Sequence, residues 1–169
     1  ISFSPATVPE SPAEAAPTPT LAEANVISIF SDAYTNIDGV NLNPALGQST
    51  VVTEMAIEGN NTLLYTGLNY QGTEFISQDV SGMTYLHIDY WTDNSTALNF
   101  FVISQTPTVD SDYHTFALVS EQWVSVDIPL TTFPNVDLTD VFQFKVEGNG
   151  TIYWDNFYFY SNPVGIDDR

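Results

Sequence analysis

The sequence contains no cysteine, which excludes disulfide staples, thiolate metal centres and cysteine nucleophiles. Basic side chains are almost as scarce: Lys145 and Arg169 stand against 21 acidic residues, for a formal charge of −19 at pH 7. Such a field repels polyanions from every direction. Nucleic acid and acidic membrane surfaces are therefore excluded as partners, sulfated or uronate-rich glycans are disfavoured, and neutral polymers and divalent cations remain. No apolar run approaches the ~18 residues of a membrane span, so no direct membrane insertion by this segment is expected. The first residue is Ile1 and no basic-then-apolar leader follows it, so the expectation is an internal piece of a modular precursor with its targeting signals upstream. There is also no G-x-S-x-G elbow, H-E-x-x-H pair, phosphate-binding glycine loop or Glu-x-Asp-x-x-Glu pattern. Two histidines, His87 and His114, are little material for general-base or zinc chemistry.

What is present is apolar and aromatic. At 43% hydrophobic and 14% aromatic residues the chain can bury a core, so the acidity belongs to the surface of a folded body. Its 169 residues suit one domain with flanking segments. Residues 5–20 hold five prolines and almost no bulky apolar group, which predicts that residues 1–20 are a semi-rigid linker, with Ile1–Ser4 the end of a preceding domain. The domain is expected over 21–162, and residues 163–169 as a C-terminal tail.

From Asn25 onward, short Val, Ile, Phe and Tyr-rich runs alternate with Gly, Asn, Asp and Pro punctuation, and no helix period appears. Strands are predicted near 26–30, 50–58, 62–70, 83–91, 97–103, 113–119, 123–128, 139–147 and 151–160. Glu58-Gly-Asn-Asn and Glu147-Gly-Asn-Gly are read as hairpin turns, because Gly and Asn tolerate positive φ. The fold class is all-β, a β-sandwich or jelly roll of two antiparallel sheets, in which 83–91 lies antiparallel to 123–128.

Period-2 alternation then sorts the faces. Leu86, Ile88 and Tyr90 should point to the core while Tyr85, His87, Asp89 and Trp91 point out. Trp123, Ser125 and Asp127 should join that outer face, with Trp154 and Tyr158 of the last strand beside them. In 139–147, Phe142, Phe144 and Val146 oppose Gln143, Lys145 and Glu147. Flat aromatic rings beside short polar groups are what the C–H faces and hydroxyls of a sugar require. The candidate carbohydrate-binding residues are therefore Trp91, His87, Asp89, Tyr85, Trp123 and Trp154 on the sheet face, with Tyr70 as the representative of a loop-tip site. The plain alternatives are that the aromatics plug sandwich edges and that His87 and Asp89 satisfy each other.

Glycoside hydrolysis needs two carboxyls across a cleft. Glu54 and Glu58 share a strand face but stand about 13 Å apart along it. Asp110 and Asp112 have the turn chemistry of a loop. For a metal, calcium suits a carboxylate-rich sandwich, with Asp32 and Asp155 the candidate ligands; alternatively Asp155, among aromatics, accepts backbone N–H groups.

Three segments carry a resemblance: Val26-Ile-Ser-Ile-Phe-Ser-Asp-Ala-Tyr-Thr-Asn, Met83-Thr-Tyr-Leu-His-Ile-Asp-Tyr-Trp-Thr and Thr151-Ile-Tyr-Trp-Asp-Asn-Phe-Tyr-Phe-Tyr. In this order the chain resembles the galactose-binding-like carbohydrate-binding modules of marine Bacteroidetes laminarinases and surface glycan-binding proteins, over about residues 21–160. The resemblance implies a β-jelly roll and a structural calcium at Asp32 and Asp155. It further implies non-catalytic binding of a polysaccharide, with the β-1,3-glucan laminarin foremost, by a module outside the cell or on a bacterial outer membrane, beside other modules of the same polypeptide. Trp154 stands where such modules carry an aliphatic residue. The competing expectation is a structural or adhesion spacer with no glycan ligand.

Overall fold

The computed structural model describes residues 11–162; residues 1–10 of the expected linker and the tail at 163–169 lie outside them. Ten strands run in chain order: β1 (Val26–Phe30), β2 (Val51–Ile57), β3 (Asn60–Thr66), β4 (Tyr70–Gln78), β5 (Tyr85–Thr92), β6 (Leu98–Ser104), β7 (Asp110–Thr115), β8 (Val124–Pro129), β9 (Val141–Gly148) and β10 (Ile152–Tyr160). A six-stranded sheet has the order β2-β3-β10-β5-β8, with β1 also on β10, and faces a four-stranded sheet of order β4-β9-β6-β7. Every strand pair is antiparallel, as the two-sheet expectation required.

The expected pairing of β5 with β8 is present, with Leu86 opposite Ile128 and His87 opposite Asp127. Glu58 and Gly59 close the β2–β3 hairpin with φ of 50° and 79°, the two positive values that a two-residue primed turn needs. Glu147-Gly-Asn-Gly, by contrast, is no hairpin. It is the corner where the chain leaves the four-stranded sheet after β9 and enters the other as β10. Asn149 holds the corner by accepting from the Thr96 backbone N–H at 2.8 Å.

Between the sheets an aromatic cluster of Tyr90, Phe100, Phe116, Phe144, Trp154 and Phe157 forms the centre of the core, its ring centroids 5.0–6.5 Å apart. Edge and tilted contacts of this kind add to the burial of apolar area. Leu86, Ile88 and Tyr90 point into it, as their alternation predicts.

Strand β4 was not anticipated as a separate element, and its residues explain why. Gln71 and Thr73 face inward and are buried although polar, so the apolar alternation that marks a strand is missing. Between them Gly72 faces outward, where a Cβ would lie 2.7 Å from Leu46 Cδ1 and 3.2 Å from Pro44 Cγ. The 41–48 loop thus presses on β4 and forms a wall along that edge of the four-stranded sheet, with Asn41 bridged to Glu74.

Candidate functional site

The outer face of the six-stranded sheet gathers most of the side chains singled out above. Tyr85, His87, Asp89 and Trp91 project from β5, Ser125 and Asp127 from β8, and Tyr158 and Tyr160 from β10. Trp123 precedes β8 and packs with Trp91 and Tyr153 in a small apolar cluster. His87 is clamped between two carboxylates, with Nδ1 2.7 Å from Asp127 Oδ1 and Nε2 3.1 Å from Asp89 Oδ1, and its ring stacks on Tyr158 at 4.6 Å. Burial alone would lower its pKa, but the hydrogen bonds to Asp127 and Asp89 outweigh burial and push it up to about 9. In return, the bond from His87 holds Asp127 below the usual carboxylate range. His87 and Asp89 do satisfy each other here.

Trp154 is not on this face. It is fully buried in the core, paired opposite Tyr90. Simple alternation puts residues 154 and 158 on one side, but β10 carries a bulge between Asp155 and Tyr158, where Asn156 takes a left-handed φ of 54°. The extra residue reverses the alternation, so Trp154 points in while Tyr158 points out. Asn156 becomes a hub: its Nδ2 donates to Asp89 Oδ2 (2.6 Å), and its Oδ1 accepts from the Ser31 hydroxyl (2.7 Å). Sequence reasoning missed it; the only signal was an Asp-Asn pair inside an aromatic strand.

The part of this face around Trp91 is also not open, whereas Asp127 at its other end is exposed. Residues 11–20, expected to be a free tether, lie across it as a strap, with Pro12 and Ala16 buried. Trp123 Nε1 donates to the Glu14 carbonyl (2.8 Å), Asn156 Nδ2 to the Pro17 carbonyl (3.1 Å) and Tyr34 OH to the Leu21 carbonyl (3.1 Å). The Ala15 N–H donates to Glu58 Oε1 (2.9 Å). Under the strap Trp91 is only 4% exposed. The expected linker boundary at residue 20 is thereby corrected: the folded unit takes in residues 11–20.

The calcium expectation meets a different donor set. Asp155 is fully buried on the outer side of β10; its Oδ1 accepts the Asn156 N–H (2.7 Å) and its Oδ2 accepts Asn60 Nδ2. Asp32 Oδ2 accepts the Asn61 N–H at 2.8 Å. Burial raises Asp155 to about 7, partly offset by these bonds and reinforced by the charges of Asp89 and Asp32. Calcium takes six to eight oxygens, whereas these oxygens meet N–H donors, and no group of three or more acidic or histidine side chains among the described residues is placed to hold a metal. The residues as arranged do not fit the ion.

The outer face of the four-stranded sheet is uncovered by the strap and has its own aromatic row. Register places Gly72 opposite Lys145, Lys145 opposite Phe101, and Phe101 opposite Tyr113, a line about 14 Å long across four strands. Phe101 and Tyr113 contact at 4.9 Å between centroids, and Tyr113 is 53% exposed. Lys145 Nζ sits 4.5 Å over the Phe101 ring and 2.9 Å from Glu147 Oε2, so the sole lysine or arginine of the described residues is already paired. Asn99, Gln143 and Glu147 flank the row. Tyr70, expected at a loop tip, opens β4 on this face opposite Glu147, and its hydroxyl donates to the Leu46 carbonyl in the wall (2.8 Å). Phe101 and Tyr113 were missed, although Asn99, Phe101 and Ile103 alternate with core residues.

The fold is that of the β-sandwich carbohydrate-binding modules. A family 11 module from Clostridium thermocellum, solved with a β-1,3-1,4-mixed-linked tetrasaccharide, superposes with a TM-score of 0.53 at 16% identity, covering 81% of this chain and 96% of that one. A family 30 module superposes with a TM-score of 0.58 at 13% identity, over 81% and 99%. A family 28 module specific for non-crystalline cellulose gives 0.52 at 16%, over 73% and 89%. No protein-family model matches the sequence, and no curated protein does.

Proposed function

We propose that the protein is a non-catalytic module that binds a neutral β-glucan, laminarin foremost, outside the cell, on the outer face of its four-stranded sheet. The observation that carries this reading is the exposed ring of Tyr113 packed on Phe101, with Tyr70, Glu147 and Asn99 in line on one side of the row and Gln143 on the other, and with the 41–48 loop as a wall along β4. The exposed Tyr113 ring, backed by Phe101, would take the C–H face of a sugar unit, and the amides and carboxylates its hydroxyls. The pairing of Lys145 with Glu147 and the charge of −19 favour an uncharged chain over alginate or sulfated glycans. The glucan and cellulose ligands of the similarly folded modules lend the same direction. Glu54 accepts from Asn61 Nδ2 and Glu58 from the Ala15 N–H, bonds that tie down the β2–β3 hairpin and the strap.

The test is affinity electrophoresis in native gels containing laminarin, mixed-linkage glucan, xylan, mannan or alginate, comparing wild type with Tyr113→Ala and Tyr70→Ala. Retardation by glucans but not alginate, weakened about tenfold or more in apparent affinity by Tyr113→Ala, is expected for a central ring platform. Unchanged migration in every gel would refute the proposal and favour the spacer reading. Retardation insensitive to both substitutions would move the site elsewhere.

A further inference from the structure

We propose that the outer face of the six-stranded sheet is a binding site for an extended, proline-rich peptide, and that its resident occupant is the chain's own segment 11–20. The geometry carries this in three ways. First, the sheet offers donors where the strap offers carbonyls: Trp123 Nε1 to Glu14 and Asn156 Nδ2 to Pro17. Proline has no N–H to satisfy, so a strand with prolines at 12, 17 and 19 needs mainly donors from its partner, and the N–H of Ala15 finds its acceptor in Glu58. Second, the receiving surface is aromatic: Trp91, Tyr153 and Trp123 form a cluster against which Ala15 packs, the kind of lining that grooves for polyproline-type chains use. Third, the β10 bulge turns Asn156, otherwise buried and already bonded to Asp89 and Ser31, so that it reaches the strap.

The occupant also suits the charge. Segment 11–20 brings one carboxylate, Glu14, to a face that already holds Asp89, Asp127 and Asp155, and Glu14 engages through its backbone carbonyl. Docking of this peptide keeps Trp91 from serving as a sugar platform and makes the last ten linker residues part of the domain. The site is independent of the glycan face.

Two measurements on the full chain test this. In wild-type protein, amide hydrogen exchange at Ala15 should be slowed at least about tenfold relative to an unstructured peptide; exchange at the unstructured rate would overturn the proposal. In Ala16→Arg, which places a charged side chain where the strap is buried, acrylamide should quench Trp91 and Trp123 more than in wild type, while buried Trp154 stays protected. A synthetic peptide of residues 11–20 should then restore the wild-type quenching saturably, and the same peptide carrying Arg at position 16 should not. A folded Ala16→Arg protein whose quenching equals wild type, or responds to neither peptide up to about millimolar concentration, would also overturn it. Should Ala16→Arg fail to fold, Trp123→Phe keeps the ring and removes the donor to Glu14; it should speed Ala15 exchange several-fold, and unchanged exchange would count against the site.

Discussion

Replacing His87 with Gln should remove a pH dependence of stability that the structure assigns to one side chain. His87 titrates near 9 in the folded protein and near 6.5 when unfolded, because Asp127 and Asp89 bind its charged form strongly enough to overcome burial. The folded state therefore holds more protons than the unfolded state between these values, and stability must fall as pH rises through them. A gap of this size corresponds to about 3 kcal/mol, present in full below about pH 6.5 and lost by about pH 9.5. Asp155, raised from 3.8 to about 7, acts in the same direction but over a lower window, its contribution fading as pH rises through about 7. Between about pH 7.5 and 9 the slope thus belongs to His87; above that, Tyr65, Tyr158 and Tyr160, whose pKa values burial raises, add to it in the same direction. Urea unfolding followed by tryptophan fluorescence should show the wild-type midpoint about 1–2 M lower at about pH 9.5 than at about pH 6, given a urea slope near 2 kcal/mol/M. His87→Gln should lie near the alkaline wild-type value above about pH 7.5 and lose the slope between about pH 7.5 and 9, keeping only the slope that Asp155 contributes below about pH 7. A wild-type midpoint that stays flat, or a variant that keeps the full alkaline slope, would refute the clamp as the cause.

Two further substitutions probe the core and the corner. Trp154 is fully buried and its Nε1–H has no hydrogen-bond partner among the described residues. Trp154→Phe should therefore cost less than about 2 kcal/mol, since it leaves a cavity but removes an unsatisfied donor, while Trp154→Ala should cost about 3–5 kcal/mol; equal losses in urea unfolding would contradict this. At Gly148 a Cβ would meet the Ala97 carbonyl oxygen at 2.3 Å, so Gly148→Ala should lower Tm by about 4 °C or more. Gly82, with open space around it, provides the control, and Gly82→Ala should change Tm by no more than about 2 °C by calorimetry.

The sandwich was legible because its strands obey period 2 and its turns carry Gly and Asn. The inward face of β5 followed from Leu86, Ile88 and Tyr90, and its pairing with β8 from the strand order of a jelly roll. Local alternation failed wherever the backbone departs from it. The Asn156 bulge reversed Trp154, a register shift in β9 brought Val141 rather than Phe142 into the core, and polar Gln71 and Thr73 hid β4. The strap was invisible for another reason: proline-rich composition predicts extension but says nothing of what the extended chain lies against. The aromatic row was hidden because β7 runs over Asp110–Thr115 and not over the expected 113–119, which puts Tyr113 inside the strand and opposite Phe101.

The pairing of β1 with β10 has a mechanical consequence. Val26 lies opposite Tyr160, and the Ser161 N–H donates to the Asn25 carbonyl at 3.0 Å, so the chain enters and leaves the sandwich at one end. Tension applied between these points loads the β1–β10 bonds one after another, like a zip, instead of all together in shear. A pull transmitted through residue 11 must first lift the strap off Trp123, Glu58 and Asn156. Segment 11–20 thus sits in series with the sandwich as a weak link that yields before the fold does.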